Sequence, residues 1–116
     1  MFKVFLAKVD DSIIGALTLL LYKDVIIYWY TGTLREFSSY RPSDFLVWHA
    51  LKFGIENDYH TFDFGGGGKP DEEYGVRDFK AKFGGDLVSF GRNKIVHSPV
   101  MLQASKVGYE LFRKIL

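Results

Sequence analysis

The sequence predicts an α+β domain whose mixed, mostly antiparallel sheet is flanked by helices. Three observations predict it. Near the N-terminus, three β-prone segments are joined by the short polar links Asp10-Asp11-Ser12 and Lys23-Asp24, which leave room only for antiparallel hairpins. From Pro42 onward, apolar residues recur near helical spacing. After that stretch a short aromatic strand passes through a glycine run into a second helical segment. The full order reads β-β-β-α-β-α-β-β-α, and the 116 residues suit one domain spanning 1–116.

Taken in order, Phe2–Val9 is rich in Phe and Val and reads as a strand. Short acidic and hydroxyl side chains at Asp10-Asp11-Ser12 bond locally to backbone amides and make a turn. Ile13–Tyr22 is more continuously apolar, the pattern of a strand covered on both faces. Val25–Thr31 (VIIYWYT) is the most β-prone segment of the chain. A helix from about Ser43 to Asn57 follows, opened by Pro42. Phe45, Trp48, Leu51 and Ile55 recur near helical spacing, Leu46, Ala50 and Phe53 widen this expected apolar face, and His49, Lys52 and Glu56 form the polar stripe. Thr61–Phe64 returns to strand. Val76, Phe79 and Phe83 then give the apolar stripe of a short helix stopped by Gly84-Gly85. Leu87–Phe90 and Lys94–His97 read as a closing hairpin around Gly91-Arg92-Asn93, and Pro99 starts a C-terminal helix ending near the cations Arg113 and Lys114.

Composition narrows the function classes. With 47% hydrophobic and 17% aromatic residues, the chain has the means to bury a core. A net charge of +1 gives no global attraction to nucleic acid or membrane. The absence of cysteine excludes disulfides, thiolate metal sites and a cysteine nucleophile. The N-terminal apolar run is too short for a signal peptide, and Ile13–Leu21 falls short of the roughly 20 residues of a membrane helix. The expectation is a soluble, cytoplasmic protein.

Ionisable side chains and backbone freedom meet only in Thr61–Gly85, TFDFGGGGKPDEEYGVRDFKAKFGG. Lys80 is the first candidate, because a cation beside a developing oxyanion stabilises acyl transfer. Arg77 lies three residues earlier on the same helical face, so the two could clamp a phosphate. The competing reading is a solvated amphipathic helix in which Asp78 and Lys82 form an i, i+4 pair. Asp63 stands between two phenylalanines and either caps the following turn or orients an amine and takes its proton. The four glycines lack the Lys-Ser/Thr of a phosphate loop and read as a slack or mobile connection. His49, His60 and His97 are scattered without ligand spacing, and no metal site is indicated. Tyr30, just before Gly32, is a β-former that is also placed to line a cleft.

The residues also carry a family likeness. The order of elements resembles the GNAT acyltransferase fold entered after its first strand and helices. Within it, Tyr30-Thr31-Gly32, the Pro42-initiated helix, FDFGG at 62–66, Tyr74-Gly75, Phe79-Lys80 and Phe83-Gly84-Gly85 resemble the C-terminal domain of the FemAB group, the peptidoglycan-bridge aminoacyltransferases. The resemblance implies transfer of an aminoacyl or acyl group from an activated donor, aminoacyl-tRNA in that group, to an amine such as that of a cell-wall peptide. It puts Lys80 by the transferring ester as the catalytic residue, with Arg77, Tyr30, Asp63 and Phe79 shaping the substrate site. No cofactor is implied. TGTLREFSSYRPS, between Thr31 and Ser43, lacks the glycine-rich pyrophosphate motif of acetyl-CoA-dependent relatives. FemAB proteins pair two such domains, so a homodimer or a missing N-terminal half would complete the cleft. The alternative is a degenerate, non-catalytic module for binding or dimerisation.

Overall fold

The computed structural model describes residues 1–91 and 93–116. Strands β1 (Phe2–Val9), β2 (Ser12–Tyr22) and β3 (Val25–Thr33) form an antiparallel meander. Helix α1 (Pro42–Glu56) carries the chain back, and β4 (Thr61–Asp63) joins β3 in parallel, giving the sheet order β1-β2-β3-β4. Helices α2 (Gly75–Ala81) and α3 (Pro99–Ile115) follow. This is the expected α+β architecture, with a four-stranded, mostly antiparallel sheet. The two hairpin turns take their tightness from left-handed backbone at Asp10 (φ 51°) and Lys23 (φ 53°).

The core sits on one face of the sheet. Leu17, Leu19, Leu21, Ile26 and Tyr28 pack there against Leu46, Val47 and Ala50 of α1, with Phe62, Phe64, Phe79 and Phe83 at the margin. The opposite face carries Phe2, Val4, Leu6, Tyr22 and Tyr30, all exposed. β2 is therefore covered on one face rather than on both, because α1 and α2 pack on the same side. The buried stripe of α1 includes the expected Leu46 and Ala50 but is centred away from Phe45, Trp48 and Ile55. Leu46, Val47, Ala50 and Gly54 are buried, whereas Phe45, Trp48 and Ile55 are exposed. The helix is apolar nearly all round, so periodicity does not select a face; small residues do. A Cβ at Gly54 would lie 3.0 Å from Ile26 Cδ1, so the close approach of α1 to β3 depends on that glycine.

The closing hairpin is not seen among the described residues. Leu87–Phe90 and Lys94–His97 contain no strand among the described residues, and Leu87, Phe90 and Ile95 are exposed; Arg92 lies outside the described residues. A new strand needs an edge to pair with. Of the two sheet edges, β1 and β4, the nearer in the chain is β4, which offers three residues only. Left-handed Gly84 and Gly85 follow the end of α2, and left-handed Gly91 follows Leu87–Phe90. Beyond them α3 has no buried residue. The radius of gyration is 18.3 Å, against about 13 Å for a compact domain near this size.

One ion pair ties α2 to α1. Lys82 Nζ lies 2.6 Å from Asp44 Oδ1, so Lys82 pairs across the fold rather than with Asp78 in its own helix. That hydrogen bond, aided by Arg41, holds the Asp44 carboxyl below its ordinary value of 3.8. Both side chains are partly solvated, so Lys82→Met should lower stability near pH 7 by at most about 1 kcal/mol. A carboxyl with a depressed folded-state pKa stabilises the fold above its unfolded value, and this contribution disappears as pH falls through the folded one. Urea titrations at pH 7 and pH 3 should therefore show the difference between wild type and variant shrinking in acid.

Candidate functional site

The ladder between β3 and β4 stops at Ile27 and Asp63. Beyond that point β3 continues to Thr33, while the other chain turns away through the glycines. Asp63 makes that turn: its Oδ1 accepts the Gly65 amide at 2.7 Å. Gly65 is left-handed (φ 72°), and a Cβ there would stand 3.3 Å from the Tyr28 carbonyl oxygen. The run is thus shaped rather than slack. Gly68 is also left-handed, and any side chain on it would collide with the Tyr74 ring.

Helix α2 aims Lys80 at this opening. Its ammonium donates to the Gly66 carbonyl oxygen at 2.8 Å and stands 5.3 Å from the centroid of the Tyr28 ring. Burial pushes the Lys80 amine below the ordinary lysine value, and the Asp63 carboxylate opposes that shift. Burial likewise raises the Tyr28 phenol, against a hydrogen bond with Thr31. Lys80 is thus half-buried at the mouth between two strands, over the Tyr28 ring and against the Gly66 carbonyl, with the exposed Asp63 carboxylate near enough to act on its charge.

The other candidates divide. Arg77 donates to the backbone carbonyls of Lys69 and Glu72, so its guanidinium straps the loop that follows the glycines. Phe79 packs edge-on against Phe83 at 5.4 Å, lies against the core and supports the Lys82 ammonium at 4.6 Å. Tyr30 is 70% exposed and shares its register with Thr18 and Val4, on the sheet face away from Lys80.

Sequence reasoning missed Tyr28, the ring beneath Lys80. Its alternation with Ile26 places it on the core side, a signal present in the sequence. The bulge is not legible there: the register slips between Thr18 and Leu19, leaving Trp29 as the extra residue and fixing which tyrosine faces α2.

The acetyltransferase (GNAT) domain family matches residues 1–80, a span that runs from β1 to Lys80. The chain belongs to the GNAT family. No curated protein and no solved structure matches it. In this GNAT domain, the start of α1 is where acetyl-CoA-dependent relatives would hold a pyrophosphate, and the residues present do not fit one. Pro42 supplies no amide, Arg41 enters the helix with left-handed backbone (φ 52°), and the Asp44 carboxylate already occupies the first turn beside Lys82. Among the described residues, no helix is long and apolar enough to cross a membrane.

Proposed function

We propose that residues 1–116 form a FemAB-type N-acyltransferase domain that moves an aminoacyl or acyl group from an ester donor, aminoacyl-tRNA by resemblance, to an amine such as that of a cell-wall peptide. The observation that carries this reading is the Lys80 ammonium, half-buried over Tyr28 and donating to a carbonyl oxygen at the mouth between β3 and β4. In acyl transfer the amine nitrogen bonds to the ester carbonyl carbon, and the carbonyl oxygen becomes anionic. The carbon–oxygen ester bond then breaks, and the proton lost by the amine ends on the departing hydroxyl. A substrate carbonyl in the place of Gly66 O would receive the Lys80 hydrogen bond as its charge develops. Asp63 keeps the turn in shape and keeps Lys80 charged. Arg77 and Phe79 hold the wall, and Tyr30 lies on the other face, where a second domain or second copy would meet it.

Incubation with radiolabelled aminoacyl-tRNA and a lysine-containing acceptor peptide tests the donor class. An amide product from the tRNA ester, with none from acetyl-CoA, is expected. Product from acetyl-CoA alone would overturn the FemAB assignment. The bare sheet face gives some support to the second reading, an assembly module without turnover; absence of product from either donor would favour it.

A pH profile tests the charge on Lys80. Because burial lowers its pKa, transfer should fall on the alkaline side below the ordinary 10.5. Asp63→Asn removes the charge that opposes this, so the alkaline limb should move to lower pH. An unmoved limb, or one moved upward, contradicts the role of Lys80 as a cationic donor.

A further inference from the structure

Two unpaired apolar surfaces of this chain match each other. Helix α3 carries Val100, Met101, Val107, Leu111, Phe112 and Ile115 along one side, each at least 51% exposed. Its 17 residues make a rod about 25 Å long. The sheet face away from α1 is equally bare, and β1, with 8 residues, runs about 26 Å along it. Phe2, Val4 and Leu6 alternate on β1 and continue across the register into Leu20, Ile27 and Tyr30.

We infer that two copies of the chain exchange their C-terminal helices, the α3 of each lying on the bare sheet face of the other. Area decides between one such contact and two. Fully burying a large apolar side chain removes roughly 60–120 Å² from water. The six side chains on α3 and the six on the sheet are rather more than half-exposed on average, so one helix-on-sheet contact hides on the order of 600 Å², both sides counted. That is below the roughly 1,200 Å² of a specific interface, whereas the reciprocal pair of a twofold dimer reaches it. A helix folding back on its own sheet would make the same one contact per chain, and the molecular mass in solution separates the two arrangements. Charge sets the direction: the last turn of α3 holds Arg113 and Lys114, and one end of the bare face is bordered by Asp10 and Asp11 of the β1–β2 turn. The outer side of α1 is a poorer seat, since Lys52 and Glu56 form an ion pair between its exposed Trp48 and Ile55. The exchange is independent of acyl transfer and survives if no donor is used.

Light scattering on the full chain after gel filtration, at micromolar concentration, should give twice the 13.3 kDa of one copy. Val4→Lys on the sheet face and Leu111→Glu on α3 should each weaken the dimer at least tenfold with unchanged far-ultraviolet circular dichroism, and Trp48→Glu should not. Mixing the Val4→Lys and Leu111→Glu proteins should restore a dimer, because one of the two contacts then joins an intact helix to an intact face and the other sets Glu against Lys. A monomeric wild type overturns the inference. So does a dimer weakened by only one of Val4→Lys and Leu111→Glu, or by Trp48→Glu in place of Val4→Lys, because the contact would then be helix on helix, sheet on sheet or helix on α1. Failure of the mixture to dimerise overturns it too.

Discussion

Lys80→Ala is expected to lower acyl transfer by about 100- to 1,000-fold, the cost of removing one donor from a developing oxyanion. The loss should fall on kcat, because the ammonium contributes most when the carbonyl oxygen carries charge, and KM should move little. The fold should survive. Lys80 is half-buried rather than part of the core, and the Gly66 carbonyl it releases lies in an exposed segment where water can replace it. Lys80→Arg should recover little. The compact ammonium fits the space between the Tyr28 ring and the Gly66 oxygen, while a planar guanidinium needs a longer reach and a different angle. Transfer within threefold of wild type by Lys80→Ala, with an unchanged melting temperature, would remove Lys80 from the chemistry. The oxyanion donor would then have to be another group.

The sheet was legible in the chain because its signals are local. Two-residue links and β-branched runs fix the first three strands, and the strand bounds agree with the sequence to within two residues. The sequence also singles out Lys80, and the structure sets its ammonium against the Gly66 carbonyl oxygen beyond the end of β4. What could not be read depends on contacts between distant segments. Which side of α1 is buried follows from Gly54 and Ala50 meeting β3, not from any period in a helix that is apolar around most of its surface. The partner of Lys82 is Asp44, far away in sequence, where the local rule offers Asp78. The apolar alternation at Leu87–Phe90 has the composition of a strand, but β4, the sheet edge nearest to it in the chain, ends after three residues. Tyr30 does not join Tyr28 on the face under Lys80 because of a one-residue bulge at Trp29, and slips of that kind turn side chains to the opposite face.

Leu17→Ala should cost about 3–5 kcal/mol, a large share of the roughly 5–15 kcal/mol that hold a domain of this size. Leu17 is 0% exposed at the middle of β2, and every residue of the buried cluster lies on the same side of the sheet. No second layer compensates for a cavity there. Leu6→Ala, on the bare face and half-exposed, should cost under about 1 kcal/mol in dilute solution. Concentration separates the two. If the bare face is a docking surface, binding adds to the stability of the folded state by mass action. The cost of Leu6→Ala should then grow as protein concentration is raised, because the variant loses dimer contacts as well as its own. Leu17→Ala leaves those contacts in place, so its cost relative to wild type should stay nearly constant. Urea titrations at two concentrations a hundredfold apart would read both. Equal, concentration-independent costs would mean that α1 does not concentrate stability on its side of the sheet, and that the exposed face is held by something within the chain.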